Sequence, residues 1–423
     1  MAGEVLIVGA SQAGAQLAVS LRALGHAGPI TLLGEENHRP YQRPALSKQF
    51  LQGTITKESL IFRSQDYWDE HRISVVKNER VVRVVKQADG SGVAYARSGH
   101  EFTFDRLALA VGARARRLPL EGSDLPGVVH FRNADDALEL RARVPAASDV
   151  VVVGGGFIGL EAAASLRTMG KRVTLVESGA RLAGRAVGAA TSDYLLEHHT
   201  GQGIEVLLNT EVKRIVARGD AVGGVEVDGR LISADIVLIG VGVVPNTEIA
   251  ERMGLACDNG VRVDEHAVTS DGWTVAVGDC ANLPNPVPGA PVGDRVRFES
   301  VTNAVEHAKV AAYSITGRRA EYAGIPWFWS DQGALKLQIA GLSAGHDRTL
   351  VRRDAAAGKF SVLYYRGDMV VAADCVNTPL DFLAVKASLA RGAAIPYDAA
   401  ADPATALKSI TVGPDNLTET SPR

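Results

Sequence analysis

Two short stretches set small residues where a backbone has to come close to a phosphate. The first is Gly9-Ala10-Ser11-Gln12-Ala13-Gly14 and the second is Gly154-Gly155-Gly156-Phe157-Ile158-Gly159. The first glycine makes a tight strand-to-helix turn, the third position admits a pyrophosphate, and the last lets the helix pack on the strand. The second stretch is a full G-x-G-x-x-G. In the first, Ser11 replaces the middle glycine, and serine is still small enough for close approach. An acid follows each stretch: Glu35 lies 21 positions beyond Gly14, and Glu177 lies 18 beyond Gly159. A carboxylate there accepts hydrogen bonds from a ribose. On Glu177 it favours the free 2′-hydroxyl of NADH over the 2′-phosphate of NADPH. Arg181 and Arg185 either soften that preference or are plain solvated arginines of a loop.

Such residues work only if strands and helices hold them in register. Val5-Leu6-Ile7-Val8 is a short apolar run, the mark of a buried parallel strand. A helical pattern with Leu17, Leu21 and Leu24 on one face follows, closed by Gly25, and then a strand Ile30-Thr31-Leu32-Leu33. The second unit repeats the order: Val150–Val153, a helix Leu160–Met169 ending at Gly170, and Val173–Val176. Strand, turn, helix, strand and acid occur twice, so the chain holds two dinucleotides. An oxidoreductase needs two when one stays bound as a flavin and the other delivers hydride.

Composition narrows the classes. A chain of 423 residues suggests about two to four domains. With 45 basic and 48 acidic residues the net charge is −3, which argues against a nucleic-acid binder. Three cysteines, Cys257, Cys280 and Cys375, lack any short spacing, which excludes a disulfide framework, a Cys-x-x-Cys pair and a cysteine-rich metal site. No apolar stretch approaches the ~18–20 residues that cross a bilayer, and the start has no basic signal region, so the expected compartment is the cytoplasm. No metal site is expected: the one adjacent histidine pair, His198-His199, has no ligand partner at suitable spacing and reads as a solvated helix face.

Elsewhere Phe104–Gly112 reads as a buried strand ending in a glycine turn, followed by Arg114, Arg116 and Arg117 as a solvated linker. Ile236–Gly240 is another buried strand, and Thr274–Asp279 a strand with an acid at its end before a helix. Prolines 284, 286, 288 and 291 predict a loop over 282–293. From about Tyr322 the pattern changes to short strands (Leu335–Ile339, Phe360–Tyr365, Met369–Ala373) and one helix near Phe382–Ala390. That is a third, α+β domain, with a polar tail that frays from about Asp415.

Six segments together resemble one family: Arg39–Lys48, Gly154–Glu161, Gly242–Asn246, Val277–Ala281, Glu299–Ala304 and Pro326–Gln332. The sequence is similar to the FAD-dependent ferredoxin reductases of bacterial oxygenase systems, the group of putidaredoxin, rhodocoxin and biphenyl-dioxygenase reductases. The resemblance runs to about Ile410. It implies an α/β, glutathione-reductase-like fold: two Rossmann-like dinucleotide-binding domains, the second inserted in the first, plus a C-terminal α+β domain. The FAD domain would be 1–112 and 245–322, the NAD domain 113–244, and the C-terminal domain, on the flavin and dimer or ferredoxin side, 323–423. By resemblance Gly9, Ala13, Gly14, Glu35, Arg43, Lys48, Val81, Ala110, Gly112, Arg132, Asp279, Val301 and Trp329 contact FAD. Gly154, Gly156, Phe157, Ile158, Gly159, Glu177 and Gly242 contact NAD, with NADH preferred. Lys48 and Glu161 are the catalytic pair: the lysine lies at the flavin N5 edge, where a cation favours hydride acceptance, and the glutamate holds it.

The activity implied is hydride transfer from NADH to FAD, then single electrons to a [2Fe–2S] ferredoxin serving a cytochrome P450 or Rieske-type oxygenase. Disulfide reductases of this architecture carry a C-x-x-x-x-C pair after the first unit, and peroxidases keep one cysteine there. Residues 43–53 hold none, so electrons leave through the flavin itself. Trp327 and Trp329 are either part of that exit or interface packing. Arg63, Arg297, Lys336 and Arg348 are candidates for a basic patch facing an acidic ferredoxin. The protein would be a monomer or homodimer without nucleic-acid or membrane partners. Two other readings stay open: an NADH-sensing flavoprotein of the apoptosis-inducing-factor type, and an NADH oxidase or flavin reductase.

Overall fold

The computed structural model describes residues 3–287 and 290–414. It forms two compact units. One takes the chain up to Arg43, Lys57–Arg114 and Val243–Gly324; the other takes Pro44–Thr56, Ala115–Gly242 and the chain from Ile325.

The first unit is organised by a five-stranded parallel sheet in the order Val275–Ala276, Arg106–Leu109, Val5–Val8, Ile30–Leu33, Ile73–Val76. Val5–Val8 is uniformly apolar because both faces are covered. Val5 and Ile7 meet the helix Gln12–Ala23 and the alanine-rich side of the helix Val301–Ile315, whereas Leu6 and Val8 pack with Leu109, Phe104 and Val261. Leu17 and Leu21 are wholly buried on that first face, as the helical spacing predicts. Each contributes about 1.5–3 kcal/mol by leaving water. The chain runs from Val5–Val8 to a neighbour on one side and takes its other neighbour from far along the sequence. The strand ends at Val8 therefore lie at a topological switch point, where α/β sheets place ligands.

The second unit contains a matching parallel sheet, ordered Glu205–Leu207, Arg172–Val176, Asp149–Val153, Ile236–Ile239, Val128–His130. The helix Phe157–Thr168 follows its central strand. The same unit carries an antiparallel sheet ordered Trp327–Gln332, Leu335–Gly341, Met369–Val376, Lys359–Arg366, Arg348–Asp354, with the helix Pro379–Arg391 against it. This is the α+β region expected from about Tyr322, with two strands and two short helices, Tyr397–Ala400 and Leu407–Ile410, beyond those read from the sequence.

Three local expectations are corrected. Asn282–Pro284 belong to a strand, Ala281–Pro284, paired with Val261–Arg262 and Arg295–Val296, because the prolines sit at its end and beyond it. Pro288 of the expected loop lies outside the described residues, as does the tail from Asp415. No α-helix follows Asp279; Gly278–Cys280 is a single 3₁₀ turn leading into that strand. Finally, His199 is buried, at 1% exposure, not on a solvated helix face.

Candidate functional site

In the first unit the turn at Gly9 has φ +117°, and a Cβ there would run into the Ala110 carbonyl oxygen, so only glycine fits. A Cβ on Gly14 would run into the Gly9 carbonyl oxygen, so its absence brings the helix down onto the turn. Ser11 is the N-cap of Gln12–Ala23, yet its side chain caps nothing; its Oγ accepts from Arg43 Nε at 3.0 Å. The first-turn amides and the guanidinium thus share one helix end, the donor set a pyrophosphate requires. Glu36 binds Arg43 and, at 2.6 Å, the Tyr41 hydroxyl. Burial opposes the charge on Arg43, but Tyr41, Glu36 and Asp279 outweigh it and push its pKa up.

Other residues assigned to the flavin lie in the same unit. Glu35 lies two residues beyond the second strand and is exposed, pairing with Arg80 at 2.6 Å. Asp279 lies in the 3₁₀ turn, its carbonyl oxygen held by Arg297 at 3.1 Å. Val301 opens the helix Val301–Ile315, capped by Ser300, and Asn303 Oδ1 in its first turn is buried without a hydrogen-bond partner. Val81 starts an antiparallel strand, Val81–Lys86; Ala110 is buried beside Gly9, and Gly112 accepts from the Asn246 amide at 3.0 Å. The free helix end, the half-buried cation and the orphaned amide oxygen suit FAD in this unit. Lys48, Arg132 and Trp329 belong to the other unit.

In the second unit Gly154 has φ +108°, with its Cβ position 2.6 Å from the Gly240 oxygen, and Gly159 sits over the Gly154 oxygen. Gly156 caps Phe157–Thr168 with nothing within 4 Å of its Cβ position, a cradle that a side chain would fill. Glu177 is already fixed by the backbone, since Gly155 N–H donates to Oε2 and Gly179 N–H to Oε1, each at 2.6 Å. Each oxygen keeps a lone pair for a ribose hydroxyl. These features suit NAD. Gly242, φ +94°, lies beside the exposed Arg185, whose Nη2 is 3.2 Å from its Cβ position. Arg181 is not a solvated arginine; it donates to Gly184 O at 3.1 Å and to Val187 O, fixing its own loop.

Lys48 and Glu161 meet inside this unit. The segment Leu46–Phe50 is a π-helical turn with Lys48 itself at non-helical dihedrals, a distortion frequent at working sites. Lys48 Nζ lies 2.9 Å from Glu161 Oε1 and donates to Pro44 O at 3.1 Å. Their side chains are 10% and 4% exposed. Two partners were not legible in the sequence: Ser47 Oγ donates to Glu161 Oε2 at 2.6 Å and Ser330 Oγ to Oε1 at 2.7 Å. Ser330 comes from the strand Trp327–Gln332, whose alternation also stacks Phe328 on Phe157 at 4.6 Å. Trp327 and Trp329 alternate with these residues and stand 5.5 Å apart; Trp327 packs on Phe382 and under Lys386. Arg132 precedes the helix Ala134–Arg143, and its N–H donates to Asp136 at 2.7 Å.

The helix Ala189–Gly201, which follows the Glu177 loop, is anchored at its start. Thr191 Oγ1 and Tyr364 OH donate to buried Asp374 at 2.8 and 2.5 Å. Burial pushes the Asp374 carboxyl up to about 6, against the pull of these donors. Of the four basic-patch residues, Arg297 is only 8% exposed and pairs with Glu299, while Lys336 and Arg348 face Asp331 and Asp368. Cys280 and Cys375 are fully buried, and burial raises both thiols, Cys280 to about 11. No cluster of histidine, cysteine or carboxylate that could hold a metal occurs among the described residues, and no helix there is long and apolar enough to cross a membrane.

Residues 3–308 match the family described as pyridine nucleotide-disulphide oxidoreductase, and residues 327–411 match the reductase C-terminal family. The chain is 42% identical to rhodocoxin reductase of Rhodococcus erythropolis over 94% of its own length and 92% of the relative's. Among solved structures, the ferredoxin reductase for the CYP199A2 system of Rhodopseudomonas palustris is 38% identical with a TM-score of 0.91, covering 96% of this chain and 99% of that one. Putidaredoxin reductase in its covalent complex with putidaredoxin is 34% identical with a TM-score of 0.90, covering 96% and 98%. The chain belongs to the pyridine nucleotide-disulphide oxidoreductases, in the group of FAD-dependent ferredoxin reductases that ends in the reductase C-terminal domain.

Proposed function

We propose that this chain takes hydride from NADH and passes single electrons to a [2Fe–2S] ferredoxin that serves a cytochrome P450 or Rieske-type oxygenase in the cytoplasm. The observation that carries the reading is Lys48, buried and fixed by Glu161 in a segment, 43–53, that contains no cysteine. Bound FAD supplies the change from a two-electron to a one-electron carrier. Every other part falls to the polypeptide. The amides after Gly9 and the Arg43 guanidinium hold the FAD pyrophosphate, and Glu35 and Asp279 take ribose and ribityl hydroxyls. The amides after Gly156 hold NADH, and Glu177 selects its free 2′-hydroxyl. Lys48 places a positive charge at the edge that accepts hydride, as a preorganised electrostatic group does. No general base is needed.

In this reading 1–112 and 245–322 form the FAD domain, 113–244 the NAD domain and 323–423 the domain that a ferredoxin meets. Support comes from the relatives, whose names pair them with rhodocoxin and putidaredoxin. The test is NADH-dependent reduction of a panel of [2Fe–2S] ferredoxins. Rapid reduction with slow NADH consumption in air is expected; fast oxygen turnover without any ferredoxin reduction would make the protein an oxidase. A long-lived charge-transfer complex with slow acceptor reduction would make it a sensor. Lys48→Met should slow flavin bleaching in stopped flow by about 2–4 kcal/mol of barrier, more than it weakens FAD retention.

A further inference from the structure

A line of buried polar groups runs away from Glu161. His199 Nε2 lies 2.7 Å from Gln332 Oε1, Gln332 Nε2 donates to Ser330 Oγ at 3.1 Å, and Ser330 Oγ donates to Glu161 Oε1 at 2.7 Å. Gln332 and Ser330 are wholly buried and His199 nearly so. The carboxylate end sets the direction of every bond, since an ionised carboxylate only accepts. The Ser330 proton therefore points to Glu161, the Ser330 oxygen accepts from the Gln332 amide, and the Gln332 carbonyl accepts from an imidazole N–H. Burial pushes His199 down to about 4, so a neutral ring with its proton on Nε2 is the state at neutral pH. Three donors aligned one behind another polarise each other in a dry interior.

We infer that His199, Gln332 and Ser330 are positioning residues that act through Glu161 on Lys48. Their aligned dipoles help balance the buried negative charge that Glu161 shares with Lys48, and so hold the carboxylate in the one orientation that fixes the lysine. A helix of the nucleotide domain and a strand of the C-terminal region thereby set the field at the site. The inference rests on the reading of Lys48 given above. A set of hydrogen bonds that merely satisfied buried groups would stabilise the fold without being coupled to the charge on Glu161.

The holoenzyme separates the two. His199→Leu should slow NADH-driven flavin bleaching about threefold to tenfold, the worth of one hydrogen bond, with FAD content and the KM for NADH unchanged. His199→Gln, which can return an N–H to the place of Nε2, should restore most of the rate. In a Glu161→Gln background, where no charge remains to be balanced, His199→Leu should add nothing. Equal slowing in both backgrounds overturns the inference and leaves Lys48 its role. Normal bleaching in both Lys48→Met and Glu161→Gln overturns the reading of the pair and the inference with it. Selective ¹⁵N-histidine NMR should show His199 as the Nε2–H tautomer at neutral pH; an Nδ1–H tautomer or an imidazolium would refute the chain whatever the rates. Ser330→Ala, a single-atom deletion, replaces His199→Leu if that variant does not fold.

Discussion

The two nucleotide units share one plan and differ in where they keep charge. In the first, the fingerprint serine receives Arg43, and a cation sits at the helix end, held by Glu36 and Tyr41. In the second, the corresponding Gly156 is bare, and the fixed charge is the anion Glu177, fastened to the backbone amides of Gly155 and Gly179. A helix end reinforced by a cation suits a dinucleotide that stays. A bare helix end with a prepared ribose acceptor suits one that must be recognised and then released. Ser11, a departure from the fingerprint at the level of sequence, is what the cation is fastened to.

The contrast breaks most readily at Arg43. Arg43→Leu should lower FAD affinity about a hundredfold, since a charge-assisted contact is lost, while the KM for NADH stays within about twofold by the same reasoning. FAD retention equal to wild type in an ultrafiltration assay would remove Arg43 from the pyrophosphate. Glu177→Ala should do the reverse, raising the KM for NADH about tenfold and eroding the preference over NADPH without loss of FAD. Unchanged selectivity would remove Glu177 from its role.

Buried histidines extend the comparison. In the first unit His307 is buried with no partner for Nδ1; in the second, His199 has Gln332. Burial holds both at about 4, below their ordinary value, so the stability each contributes is complete above pH ~6.5 and is lost as pH falls towards 4. Asp374, raised to about 6, runs the other way and binds its proton in the fold as pH falls. Of these three groups the unfolded chain takes up one proton more than the fold, so together they slope stability downward as pH falls between ~6 and ~4. His307→Leu should flatten that slope in denaturant titrations. The smallest effect belongs to Ser11→Gly, about threefold on FAD affinity, as the half-exposed hydroxyl that accepts from the Arg43 guanidinium is removed.

Both nucleotide units were legible because their signals are local: strand, turn, helix and acid follow within a few tens of residues. The partners of Glu161 were not, because Ser47 and Ser330 are ordinary serines 114 and 169 positions away. His199 was misread for a related reason. The buried side of Ala189–Gly201 is lined by Thr191, Ser192 and His199 around a single leucine, Leu195, so hydropathy shows no apolar stripe to place the histidine inside. Arg348–Asp354 escaped notice as a strand because it is the sheet's edge and carries charges there, as edge strands do.

The deep placement of Cys280 and Cys375 bears on how long such a protein lasts in air. A catalyst that works with oxygen nearby is exposed to peroxide, and peroxide attacks thiolates. Here two of the three thiols are kept protonated and out of reach, and the third, half-buried Cys257, also has its thiol pushed up. The molecule thereby shows peroxide thiols rather than the thiolates it attacks.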